Sequence, residues 1–179
     1  SFFHLADLYS TGDSIPVNLN KSIYYFSKNI EIPYQTSFVT SLNPYLYRSC
    51  NDLGLIYLTF YNDVDKANKF IKEAAFAEYP FGQNNFGLIN LFYLNNVENA
   101  EYMFVKASKH NFALAEFNLG YLKERQNKIE EAIEFYINAS QHESEPLIYR
   151  HKKYHDKRLD ISKMFIICFT NLKLTDFFI

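Results

Sequence analysis

Three columns of small residues recur along this chain at a nearly fixed interval, and that interval limits the fold more than any other feature. Leu53-Gly54-Leu55 aligns with Phe86-Gly87-Leu88 and with Leu119-Gly120-Tyr121, the glycines standing 33 and 33 residues apart. Ala67, Ala100 and Ala132 follow at spacings of 33 and 32, and Ala74, Ala107 and Ala139 lie seven residues beyond them. Between the alanines sit large side chains: Phe70 and Ile71, Met103 and Phe104, Phe135 and Tyr136. One column could arise by chance, but three in register mark a repeat. A looser copy runs from Phe2 to about Glu31, with Ala6 in the glycine's place, Ser22 in the first alanine's, and Tyr25 and Phe26 at the large positions. Its markers are 16 apart rather than 12 or 13, because Gly12-Asp13-Ser14-Ile15-Pro16 lengthens the turn.

Inside each copy the periodicity is helical. Leu53, Ile56, Tyr57 and Phe60 fall at i, i+3, i+4 and i+7, and Ala67, Phe70, Ile71 and Ala74 repeat that spacing, as do Ala132, Phe135, Tyr136 and Ala139. Each copy therefore reads as two antiparallel helices joined by a tight turn at Asn62-Asp63, Asn95-Asn96 or Gln126-Asn127, where Asn and Asp side chains replace missing backbone hydrogen bonds. Small residues mark close backbone approach, and the neighbouring aromatics fill the remaining space. Ordering one such hairpin of ~33 residues costs on the order of 33–66 kcal/mol of backbone entropy. A lone hairpin buries only one side of its helices, so neighbours must stack on it. The expected fold is all-α: an α-solenoid of about four helix-turn-helix repeats, with a concave face. The expected divisions are a first repeat over 1–31, an inserted loop over 32–48 carrying Pro33 and Pro44, three further repeats over 49–142, and a basic connector with an apolar C-terminal cap over 143–179.

The first copy carries the most specific signature: Leu5-Ala6, Tyr9, Gly12, Ile15, Asn18, Lys21-Ser22 and Tyr25. This resembles the Sel-one-like repeat, a branch of the tetratricopeptide superfamily, with Ser22 for the usual alanine. Leu53-Gly54, Tyr57, Lys66-Ala67 and Phe70 match it in the second copy, although the turn is shorter. The third and fourth copies keep the small columns but have Asn90 and Lys123 where the tyrosine belongs, and so look closer to plain tetratricopeptide repeats. The resemblance covers about residues 2–142 and implies a scaffold that holds protein partners together, in some members attached to a kinase or a ubiquitin-ligase assembly. It also implies that first-helix side chains line the groove. Carried over, these are His4, Asp7, Asn51, Asp52, Asn84, Asn85, Asn118, Tyr121 and Arg125. An asparagine amide can donate and accept toward a peptide backbone at once. The competing reading is that these are solvated polar residues of a chain rich in Asn. The extra Lys and Arg that clamp a C-terminal carboxylate in the best-known groove are missing apart from Arg125, which puts that ligand in doubt.

The remaining features exclude more than they identify. Eighteen basic against twenty acidic residues give a formal charge of -2, which speaks against a nucleic-acid binder. GxGxxG, P-loop, HExxH, GxSxG and CxxC are all missing from the sequence, and its five glycines could build little of a phosphate loop. No enzyme activity, cofactor or small-molecule substrate is expected. His151 and His155 share a helical spacing, but Arg150, Lys152, Lys153, Lys157 and Arg158 surround them and oppose a dication, so no metal is expected. Glu130, Glu131 and Glu134 read as acidic residues near a helix start, where the dipole favours them. Leu159, Ile161, Met164, Phe165, Ile167 and Cys168 form an apolar stretch suited to capping the last repeat.

The most apolar run, Met164 to Phe169, is far shorter than the ~20 residues of a membrane span. Cys50 and Cys168 lie too far apart in sequence to signal a disulfide scaffold, and a reducing, cytoplasmic setting is the expectation. The sequons at Asn20 and Asn138 would matter only in the secretory pathway. Both ends look cut, as in a fragment of a longer protein. The expected role is a protein-interaction adaptor that binds partner segments on its concave face. The alternative is the regulatory repeat portion of a larger enzyme, a kinase or a ubiquitin-ligase adaptor subunit.

Overall fold

The structure, a computed structural model, describes residues 1–12, 14–35 and 45–142. Eight helices and no strand occur among them: α1 (Phe2–Thr11), α2 (Leu19–Gln35), α3 (Leu46–Phe60), α4 (Val64–Phe76), α5 (Pro80–Phe92), α6 (Val97–Ser108), α7 (Ala113–Arg125) and α8 (Ile129–Gln141). The fold is an all-α helical repeat. It divides into two compact units, Ser1–Ala100 and Glu101–Ile179.

In the first unit each helix packs on its successor, from α1 on α2 through α4 on α5, and α3 also meets α5. That order is solenoid stacking. Its apolar centre joins Phe3, Ala6, Phe26, Leu53 and Ile56, with Leu19, Ile23, Ile30 and Tyr57 packed around them. Gly54 lets α3 and α4 touch: a Cβ there would stand 2.5 Å from Ile71 Cγ1 and 3.1 Å from the Ala67 carbonyl oxygen. In the first copy the serine that replaces alanine is fully buried. Its hydroxyl donates to the Ala6 carbonyl at 2.9 Å, so the substitution leaves no polar atom stranded. The second unit holds the α7–α8 hairpin, where Gly120 lies against the Tyr136 ring, 2.6 Å from where its Cβ would be.

The turns repeat as closely as the helices. Asn62, Asn95 and Asn127 each adopt positive φ, between 50° and 57°, a conformation that Asn tolerates better than most residues. Asn18, Asp63 and Asn96 then cap α2, α4 and α6: each side-chain oxygen accepts from the backbone N–H three residues on, at 3.0 Å. The tyrosine column is a stacking site in two copies, Tyr9 on Tyr25 and Tyr57 on Phe70, with interplanar angles of 9° and 8°. Lys21 and Lys66 each set an ammonium 4.9 Å from the ring centre. Where the column changes, the partners change with it. Asn90 accepts from Asn99 at 2.8 Å, and Lys123 pairs with Glu101 at 2.6 Å.

The expected inserted loop over 32–48 needs correction at both ends. Helix α2 continues to Gln35 and α3 begins at Leu46. Pro33 lies in the last turn of α2, where its missing N–H removes one hydrogen bond near the helix end rather than in its middle. The connector and cap expected over 143–179, with His151, His155 and the basic run, lie outside the described residues.

Candidate functional site

The first-helix positions singled out in the sequence are brought together in the first unit, but most of them lie inside it. Asn51, Asn84, Asn85 and Asp52 are buried, the first three at 3%, 1% and 6% exposure. Neither groove-lining side chains nor solvated ones describe them. The Asn85 amide donates to Asn51 Oδ1 at 2.8 Å, joining α5 to α3. Asn51 in turn donates to Asp52 Oδ1 at 3.0 Å, and Asn84 donates to Asn85 Oδ1 at 3.4 Å. A buried amide is stable only when its donors and acceptors are matched, and here the second and third copies match one another. A second rung lies alongside, where Asn29 of α2 donates to Ser49 Oγ of α3 at 2.8 Å.

This strip ends at Asp52, which is buried beside the partly exposed Arg48. Burial pushes the Asp52 carboxyl up from 3.8 to about 6, and the Asp7 charge adds to the rise, while the Asn51 hydrogen bond and Arg48 pull the other way. Arg48 stands one helical turn before Asp52, 3.7 Å from its carboxylate, and is partly exposed. Its guanidinium also lies 4.7 Å from the Phe3 ring centre. Phe3 stacks on Tyr45 at 4.7 Å, and His4, which is exposed, meets Tyr45 edge-on at 5.2 Å. Tyr79 completes the neighbourhood: burial raises its phenol to about 12, and the Asp52 charge adds to that effect. His4, Asp7 and Asp52 therefore share one first-helix face with Arg48, Tyr45 and Tyr79.

The latter three were missed in the sequence. Arg48 and Tyr45 fell within the span assigned to a loop, although Arg48 and Asp52 form an i, i+4 pair of opposite charge that marks a helix. Tyr79 gives no comparable signal, since only the fold brings it to Asp52.

The remaining positions belong to the second unit. Asn118 is buried at 3% exposure. Tyr121 and Arg125 are brought together: the Arg125 guanidinium donates to the Tyr121 hydroxyl at 3.2 Å and lies 5.8 Å from the ring centre. Nearby chain elements carry further polar links. Lys123 bridges Glu101 and Glu131, at 2.6 and 3.4 Å. His142 Nδ1 lies 2.9 Å from both oxygens of Glu116.

Cys50 is buried in α3, and burial pushes its thiol up to about 12, so thiolate chemistry at neutral pH is disfavoured there. Among the described residues no three His, Cys, Asp or Glu side chains group as metal ligands. No helix among them is long and apolar enough to cross a membrane. No protein-family model matches the chain, and no curated protein matches it either.

Proposed function

We propose that this chain is a protein-interaction scaffold of Sel-one-like or tetratricopeptide type, binding segments of partner proteins along the first-helix face of its first unit. It does so without catalysis, cofactor or nucleic acid, and cytoplasmic residence fits its buried, unpaired Cys50. The observation that carries this reading is the surface composed of His4, Asp7, Tyr45, Arg48 and Tyr79, with the buried Asp52 and the amide strip beneath it. Such a face offers charged groups and aromatic edges on a rigid base, the conditions under which few contacts yield specific binding. Asp7 and Asp52 outnumber Arg48, so the face is acidic and favours partner segments bearing Lys or Arg.

A peptide array screened with the whole chain tests this. Binding should concentrate on basic segments, and Asp7→Asn together with Asp52→Asn should weaken the best peptides about tenfold, the effect of about 1.4 kcal/mol. Peptides that bind the double variant as well as the parent chain would remove this face from the reading.

A further inference from the structure

Among the described residues, one helix face in the second unit lacks the covering that its counterpart has in the first. Helix α8 exposes Ile129, Ile133 and Ile137, each about half accessible, at 46%, 51% and 49%. They recur every fourth residue and so form one stripe. Ile129 stands three places before the alanine marker Ala132, and Ile133 one place after it. In α2 the same positions relative to Ser22 are Leu19 and Ile23. Those two residues are partly buried, packed on a cluster that includes Leu53 and Ile56 of α3, the helix that follows. In α4 the same positions are Val64 and Asn68, both half-buried. Helix α2 therefore uses these columns to receive α3, and α8 carries isoleucine at both.

The chain beyond α8 contains a matching sequence. Ile161, Met164, Phe165 and Cys168 fall at i, i+3, i+4 and i+7, the spacing of an apolar helical face. Sixteen residues separate His142 from Leu159. They can span up to about 50 Å, against about 20 Å for the length of α8. Those sixteen include Arg150, Lys152, Lys153, Lys157 and Arg158, while Glu130 and Glu134 of α8 are exposed beside the isoleucines. Charge and apolar pattern are both complementary.

We propose that the segment Leu159–Cys168 docks on the Ile129–Ile133–Ile137 face of α8, taking the place that α3 takes on α2. The face is then closed from within the chain rather than left for a partner. The whole chain supplies its own probe, since it has two cysteines, Cys50 buried in α3 and Cys168 within the segment. An Ile133→Cys variant is oxidised under mild conditions and digested, and the disulfides are identified by mass. The thiol introduced at position 133 should link to Cys168 of the same chain about tenfold faster than one introduced by Lys69→Cys on the exposed side of α4, because docking raises the local thiol concentration. The rate should not depend on protein concentration, and adding Phe165→Asp should return it to the control value. Ile137→Cys, one turn further along, provides an independent reporter should the first variant fold poorly. Equal rates at the test and control positions would overturn the proposal. So would a fast link that survives Phe165→Asp, or one that forms between chains and grows with concentration, which would assign the face to a second copy.

Discussion

Asp52 offers a perturbation whose sign and size both follow from the structure. At the same repeat position the third and fourth copies carry Asn85 and Asn118, so Asp52→Asn installs the side chain the repeat uses elsewhere. Burial lifts the Asp52 carboxyl from 3.8 to about 6. At about 1.4 kcal/mol per pKa unit, the folded chain favours the neutral acid by about 3 kcal/mol. Below the ordinary value Asp52 is protonated in both folded and unfolded chains, and its contribution to stability is fully present. Between 3.8 and about 6 the unfolded chain ionises first, so stability is lost as pH rises through the folded value. Above it the whole penalty is carried.

The asparagine variant is neutral throughout and can keep the acceptor that Asn51 uses; the Arg48 ion pair that it forfeits is already counted in the folded value, which Arg48 pulls down. The variant should therefore be more stable than the parent by about 3 kcal/mol near pH 7.5 and about equal to it near pH 3. In a chain of this length that gain corresponds to a Tm about 6–12 °C higher. Urea unfolding followed by circular dichroism, with parent and variant measured side by side across that range, isolates Asp52 from every other titrating group. A variant that is less stable at both ends of the range, or shifted equally at both, would refute the assignment of a buried carboxylate penalty.

Two further outcomes test the packing. Gly82→Ala should destabilise the fold by about 1–3 kcal/mol despite alanine's better helix propensity, because the new methyl would lie 2.7 Å from Ala74 Cβ and 2.8 Å from the Ala74 carbonyl carbon and the Ala75 nitrogen; a thermal melt no lower than the parent's would contradict that. Asn51→Ala and Asn85→Ala, alone and combined, should show a coupling energy of about 1 kcal/mol in chemical denaturation, since either single change strands a buried amide group that the other side chain bonds at 2.8 Å; strictly additive losses would show that the strip contributes no joint stability.

The spacing of small residues carried most of the architecture, because backbone approach leaves few alternatives: Gly54 and Gly120 lie against Ile71 and Tyr136, as glycines at helix crossings must. The turns were legible for a similar reason, since Asn62, Asn95 and Asn127 supply positive φ at low steric cost. The site was only partly legible. Hydropathy places asparagine outside, and a sequence gives no sign that an amide of the adjacent copy will be its partner across 34 positions, as Asn85 is for Asn51. A trace was present all the same: Asn51, Leu55 and Leu58 share one helical spacing and are all buried, so a polar residue within an apolar stripe marked an interior network rather than a groove. The boundary of α3 was harder to place. Its first turn, Leu46-Tyr47-Arg48-Ser49, follows a proline-containing stretch, and reading the whole of 32–48 as loop removed Tyr45 and Arg48 from view together.

The amide strip and the charged face bear on one another through Asp52. An asparagine there would serve the interior better, yet this copy keeps a carboxylate that is ionised only above about pH 6. If that charge serves binding, Asp52→Asn must move two readouts in opposite directions near neutral pH: higher stability against urea, and weaker binding of basic peptides by the face. Lowering the pH toward 5 should weaken the parent chain's binding in the same way, since protonation removes the same charge, and should leave the variant's binding much less affected. A variant that gains stability while binding basic segments as tightly as the parent would separate the two roles. Recognition would then rest on Asp7 and the aromatic residues of the face, and the Asp52 charge would be a cost of the interior alone.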